Sequence, residues 1–324
     1  MRSPHIEVSI NLDQIRAASE AIRAHTRVGQ IAVIKADGYG LGAARVADTL
    51  APVVDQFAYF SVAEAREVGR PGIVLGPPEG DPAEFRELNL RPAVATPAAA
   101  AKFAGLRVAI KVDTGMQRFG CPPDELDDLV ARCDVEDYFS HAVTPESALR
   151  LKAACAGRGR PYHAAATSLL DHPETWFDAV RPGLALYRGA MRVSARLHAV
   201  HDTHGPVGYT GFQWPRVGII LAGYSNFLRP GPVLVNGRSQ KLLEVGMNTS
   251  YVSVDAKDRA GDEVVLLGDG LTETALAEHF DSRPHEILCR YSATGQRRYV
   301  CAGAPATPDS PCTTRSSAAS PRGT

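Results

Sequence analysis

The sequence predicts a (β/α)8 barrel of the TIM type followed by a smaller β-rich C-terminal domain, and three observations carry that expectation. Over residues 1–190, short apolar, strand-like runs alternate with helical segments in roughly eight repeats, the pattern of a parallel sheet closed by helices. No G-x-G-x-x-G follows the first strand, which argues against a doubly wound nucleotide-binding sheet. From about residue 194 the pattern changes to strands separated by Gly, Pro, Asn and Asp turns, so residues 191–301 form the second domain.

In order, residues 5–12 read as a strand, which can also join the β-rich domain, and Asn11 or Asp13 can cap a helix over residues 14–25. An apolar strand at 31–35 runs into the glycine-rich loop Gly38-Tyr39-Gly40 and a helix over 43–50. Strands follow at 58–62, 72–76, 92–96, 106–115, 138–141 and 162–167, with helical segments at 63–69, 82–88, 97–103, 123–132, 145–155 and 168–172 between and after them. The β-rich part has strand-like runs at 194–200, 217–223, 232–237, 251–257 and 262–268, and one helical segment at 272–280. Residues 302–324 are rich in Pro, Ser, Thr, Ala and Gly and cannot bury a core, so a disordered tail is expected there.

With a formal net charge of −1 and no run of like charges, nothing points to a nucleic-acid or membrane surface, which leaves small molecules or a second copy as partners. The six cysteines form no C-x-x-C pair and no secreted-type framework, and the first residues lack an apolar signal core, so a reducing, cytoplasmic location is expected. No metal-ligand cluster is visible.

The stretch AVIKADGYGLG, residues 32–42, organises the rest. Its lysine, Lys35, ends a strand, and in a barrel that end is the mouth where reactive groups are displayed. Partial desolvation there lowers an ammonium's pKa and suits a nucleophilic or Schiff-base lysine. From the residues alone, the commoner outcome for such a lysine is a side chain reaching solvent.

AVIKADGYGLG resembles the cofactor-lysine signature of the alanine racemases, pyridoxal 5′-phosphate (PLP) enzymes on a fold-type III barrel. The resemblance recurs in KVDTGMQRFG (111–120), YFSHA (138–142), HAAATS (163–168), VRPGLALYRG (180–189), VGYTG (207–211), LAGYSN (221–226) and AGDEVVLLG (260–268), in the family's order. It implies PLP as cofactor, with Lys35 as Schiff-base lysine and the base for one face of the substrate. Tyr39, Thr167, Gly183 and Tyr187 match phosphate-side positions, and Arg181 matches the arginine facing the pyridine nitrogen. Tyr209 matches the second base, given in the family by the partner subunit, so a head-to-tail homodimer with shared sites is implied. Racemisation needs groups on both faces of the α-carbon, and a free tyrosine near pKa ~10 needs nearby cations to act as one. His141 and Arg181 match the residues that do this, and His141 also packs on the cofactor face. Arg118, Tyr224 and Met247 match substrate-side positions.

The chain departs from the family at Ala166, where asparagine is usual, at Asn248 in place of aspartate, and in a late block whose usual tyrosine is Ala293. Several βα units are shorter than is typical, which predicts a trimmed or poorly closed barrel. The implied activity is interconversion of L- and D-alanine; racemisation of serine or another amino acid, and a non-catalytic PLP-binding paralogue, are the alternatives.

Overall fold

The computed structural model describes residues 2–301, so the tail expected at 302–324 lies outside the described residues. Eight strands form one sheet: β2 (Gly29–Val33), β3 (Gln56–Tyr59), β4 (Gly72–Val74), β5 (Leu90–Val94), β6 (Arg107–Lys111), β7 (Asp134–Ala142), β8 (Tyr162–Ala165) and β9 (Ala179–Val180). They are parallel neighbours in the order β8-β7-β6-β5-β4-β3-β2-β9. The sheet closes on itself, because Asp178 N–H donates to the Tyr162 carbonyl at 3.3 Å and Arg181 N–H to the Ala165 carbonyl at 2.7 Å. The shortened βα units therefore leave a closed barrel, contrary to the sequence expectation.

Five of the helices between the strands start where short polar side chains cap them. Asn11 Oδ1 accepts from Gln14 N–H at 3.0 Å and starts the helix Leu12–Thr26. Asp81-Pro82, Thr96-Pro97 and Thr144-Pro145 repeat one cap-then-proline signal at three helix starts, where the missing proline N–H costs nothing. Each cap is worth about 1 kcal/mol.

The second sheet has nine strands: β1 (Ser3–Asn11), β10 (Met191–Arg196), β11 (Ala199–Asp202), β12 (Arg216–Ile220), β13 (Gly231–Val235), β14 (Arg238–Val245), β15 (Ser250–Ser253), β16 (Glu263–Leu267) and β17 (Gly295–Val300). The single strand-like run at 194–200 is divided here between β10 and β11. β1 pairs antiparallel with β10 and parallel with β17, so the ends of the described chain meet beside the barrel. A helix at Pro284–Ser292, which the sequence reading missed, buries Ile287, Leu288 and Tyr291. Its signal was there in Pro284 at the first turn and in that helical spacing of apolar residues.

Inside the barrel the apolar layer is made largely of small residues: Ala58, Ala93, Ala109 and Ala179 beside Ile31, Val33, Ile73 and Phe139. Small side chains leave room along the axis, and buried Lys111, Asp137, His163 and Arg181 occupy the interior with them. A barrel interior is ordinarily filled by branched apolar layers. The polar filling marks this one as a site.

Candidate active site

Lys35 follows β2 by two residues and opens a turn of unusual hand. Ala36, Asp37, Gly38 and Tyr39 all have φ between 53° and 61°, a left-handed helical turn where sequence reading expected a loop. Each non-glycine residue there costs roughly 1–2 kcal/mol, so the surroundings must over-determine the turn. They do so from three sides. Glu64 accepts Ala36 N–H at 2.9 Å and Phe60 N–H at 2.6 Å, Asp37 accepts Ala43 N–H at 2.8 Å, and Arg297 of β17 pairs with Asp37 at 2.5 Å. Behind the turn, a Cβ on Gly40 would collide with Ser292 and one on Gly42 with Tyr299, so the C-terminal helix and strand lie directly on it.

Around Lys35 the mouth gathers Lys111, Arg118 and Arg181, with Glu64, Asp113 and Asp137 as the carboxylates that offset part of their charge. The half-buried Lys35 is held below the usual lysine range, first by burial and next by Arg118. Burial and the charges of Arg181, Arg118, Lys35 and Lys111 push His141 down to about 4. His141 is thus an uncharged hydrogen-bonding group near neutrality, held so by the cations around it. Buried Arg181 is lowered to about 10 and stays charged, stacked over Phe139 at 5.2 Å. Arg118 lies exposed on the loop after β6, which Asp113 braces by accepting from Gly115 N–H at 2.8 Å and Arg118 N–H at 3.1 Å.

Lys111 was missed by sequence reasoning. It is buried, donates to the Leu75 carbonyl at 2.9 Å, and is lowered to about 8 by burial and by Arg118, Arg181 and Lys35. Its signal was a repeat: Val108-Ala109-Ile110-Lys111 copies the apolar strand ending in lysine at Ala32-Val33-Ile34-Lys35.

The phosphate-side positions meet at one corner. Thr167 Oγ1 accepts from Gly183 N–H at 3.3 Å and from Ala185 N–H at 3.1 Å. Tyr39 presses its hydroxyl against Gly183 so closely that a Cβ there would collide with it, and burial raises that hydroxyl to about 12, keeping its proton. Tyr187 stacks on Tyr39 with ring centroids 4.9 Å apart and donates its own hydroxyl to the Val33 carbonyl at 2.8 Å. It braces Tyr39 from a fully buried position, a correction to its reading as a phosphate contact.

The structure separates the other predicted residues from this corner. Tyr209, Tyr224 and Met247 stand on the second sheet's face with 94%, 55% and 59% of their surface exposed. They adjoin one another: Tyr224 N–H donates to the Gly246 carbonyl at 2.9 Å, Ser225 N–H to the Met247 carbonyl at 3.1 Å, and the Tyr209 ring lies 3.7 Å from the Cβ position of Gly246. Asn248 accepts from the Ser225 hydroxyl at 2.8 Å. Glu244, also missed, organises the Tyr209 loop by accepting Tyr209 N–H at 2.9 Å, Thr210 N–H at 2.8 Å and the Thr210 hydroxyl at 2.6 Å. Burial raises the Glu244 carboxyl, and those donors outweigh it and hold it below its usual range.

A lysine with lowered pKa, a hydroxyl-and-amide corner and a buried arginine around one barrel mouth define a class: barrel proteins that hold an anionic, carbonyl-bearing cofactor against a lysine. The donor set fits PLP, with Lys35 for its aldehyde carbon, Thr167, Tyr39 and the backbone near Gly183 for its phosphate, and Arg181 for its ring nitrogen. Comparison with known proteins agrees. The family pattern described as alanine racemase, N-terminal domain, matches residues 10–191, and that described as alanine racemase, C-terminal domain, matches residues 190–299. The alanine racemase of Xanthomonas campestris pv. campestris is 31% identical over 86% of this chain and 94% of its own. The structure of biosynthetic alanine racemase from Pseudomonas aeruginosa superposes with a TM-score of 0.84 at 24% identity, covering 92% of this chain and all of that one. That of alanine racemase from Bartonella henselae, which carries covalently bound pyridoxal phosphate, gives 0.83 at 21% identity, with 92% and 100% covered. The chain belongs to the alanine racemase family.

Among the described residues, no helix is long and apolar enough to cross a membrane, and no three His, Cys, Asp or Glu are grouped to hold a metal.

Proposed function

We propose that this chain is a PLP-dependent amino-acid racemase that interconverts L- and D-alanine, with Lys35 and Tyr209 as its two bases. The carrying observation is the cation cluster of Lys35, Lys111, Arg118 and Arg181, close enough that its members lower both lysines, which suits a phosphate and a substrate carboxylate together. Bound PLP supplies the electron withdrawal that acidifies the amino acid's α-carbon. Lys35 Nζ, partly desolvated and so more often neutral than a free lysine, takes or returns the α-proton on one face. Tyr209 Oη does the same on the other face. Arg118 and the Met247 backbone N–H receive the substrate carboxylate, and Tyr224 borders it.

A base must sit in a water-excluded site, and Tyr209 is 94% exposed. This supports a head-to-tail homodimer in which the face bearing Tyr209, Tyr224 and Met247 covers the partner's barrel mouth. A cytoplasmic location belongs to the same reading, in keeping with a sequence that has no long apolar run. Asn248 on that face favours tests with serine beside alanine.

The deciding experiment incubates the PLP-loaded protein with L-amino acids in D2O and follows deuterium at the α-carbon and chirality. Deuterated, racemised alanine is expected, with racemisation lost in Tyr209→Phe; no α-exchange with any amino acid would leave a PLP-binding protein without racemase activity. Mixing Lys35→Ala with Tyr209→Phe should restore roughly one active site in four if sites are shared between subunits, and none if each chain is self-sufficient.

A further inference from the structure

Behind Arg181 the barrel axis carries a column of polar side chains that the proposed mechanism does not use. Arg181 donates to the His163 carbonyl at 2.8 Å and the Ala164 carbonyl at 3.4 Å, to the Ser140 carbonyl, and against His163 Nδ1. The opposite ring nitrogen, His163 Nε2, lies 3.2 Å from Asp137 Oδ2. Asp137 is paired in turn with Arg91 at 3.0 Å, and Arg91 also donates to Gln56 Oε1 at 2.6 Å. Arg181, His163 and Asp137 are 3%, 2% and 4% exposed, so water does not arbitrate their protons. Phe139 fixes the ring plane by stacking on His163 at 5.6 Å and 16°.

A guanidinium has donors and no acceptor, so the nitrogen facing Arg181 must accept. An ionised carboxylate has acceptors and no donor, so the nitrogen facing Asp137 must carry the hydrogen. Both neighbours therefore require one tautomer, with hydrogen on Nε2 and the lone pair on Nδ1. Burial and the Arg181 charge hold the imidazole below its usual range, so the ring has a single proton to place. In the other tautomer an N–H would point into the guanidinium and turn it away. Arg91 supplies the opposite charge that a buried carboxylate needs.

We propose that Asp137 is a positioning residue: by holding His163 as the Nε2–H tautomer it makes Nδ1 an acceptor for Arg181, and so fixes the direction of the guanidinium that would meet the cofactor ring. What Arg181 faces rests on the function proposed above; the tautomer does not.

The test is Asp137→Asn, whose neutral amide can donate to Nε2 as well as accept from it and so no longer fixes the hydrogen there, beside the double variant Arg91→Gln/Asp137→Asn, which also removes the cation that the single variant leaves with Glu136 alone, 3.6 Å away. Full-length, PLP-loaded protein labelled with 15N-histidine reports the tautomer by long-range proton–nitrogen correlation, assigned against His163→Gln. Wild type should show His163 as Nε2–H, and both variants should move it to Nδ1–H or a mixture. With that change the absorbance of bound PLP should shift, and kcat for alanine should fall roughly 10–100-fold with KM little altered, the scale seen for outer partners of functional histidines. An Nε2–H signal retained in the double variant overturns the proposal, as does a changed tautomer with unchanged absorbance and kcat. If wild type does not racemise alanine, the tautomer and the PLP spectrum still decide the role of Asp137.

Discussion

The barrel mouth and the exposed face of the second sheet carry the two proposed bases in opposite physical states. Lys35 is half-buried, ringed by repelling cations and mounted on a strained left-handed turn locked by Glu64, Asp37 and Arg297. Tyr209 is almost wholly in solvent, on a loop held by one carboxylate, Glu244. Strain and desolvation are tolerable where a fold can brace them on several sides. The exposed side needs only a fixed backbone, since its environment comes with the partner.

That contrast breaks if the two bases respond alike. Lys35→Ala should abolish racemisation while leaving the melting temperature equal or higher, because it removes a partly desolvated cation repelled by Arg118 and Arg181. Tyr209→Phe should lower kcat by roughly 10²–10⁴-fold, the usual range for an acid–base group, and leave stability unchanged within about 0.5 kcal/mol. A clear loss of stability in Tyr209→Phe, followed by thermal denaturation, would mean that its loop is braced beyond Glu244.

Glu244→Ala sharpens the exposed half. It strips three donors of a buried carboxylate partner, so a loss of about 1–3 kcal/mol is expected, read as faster amide exchange at Tyr209 and Thr210. His141 tests the buried half through pH. Its folded value near 4 lies below the ordinary 6.5, so between those values the unfolded chain binds a proton that the folded chain refuses. Stability should rise with pH across that window and fall again on acidification, and His141→Asn should remove on the order of 1 kcal/mol of the rise in urea titrations at pH 4.5 and 7. The smallest effect is at the turn. Ala36→Gly relieves left-handed strain and should change stability by less than about 1 kcal/mol in either direction, whereas Ala47→Gly inside the helix Ala43–Leu50 should cost at least that much.

The sequence was most legible where structure is local. Alternating apolar runs marked the barrel, Asn11 or Asp13 marked the first helix start, and AVIKADGYGLG located the mouth. Long-range constraints were hidden. Nothing near Ala36 or Asp37 announces a left-handed turn, because its locks arrive from Glu64 and from Arg297, the latter 260 residues away. The barrel's closure was misjudged from unit length, since a two-residue β9 suffices once Arg181 N–H reaches Ala165. Lys111 escaped notice because a lysine after a strand reads as solvated unless its repeat of the Lys35 pattern is weighed. Asp137, His163 and Arg181 come from separate strands and loops, and only the closed barrel puts them in line.

The pairing of β1 with β17 sets the order in which the molecule can mature on the ribosome. Nearly all of the described chain separates β1 from its parallel neighbour and must be synthesised before the two can pair, and Arg297 travels with that neighbour. The barrel strands can assemble earlier from contacts close in sequence, while the last lock on the turn bearing Lys35 closes only when β17 docks. A nascent barrel would thus be compact before it is competent, and translation itself would time the appearance of a usable cofactor lysine.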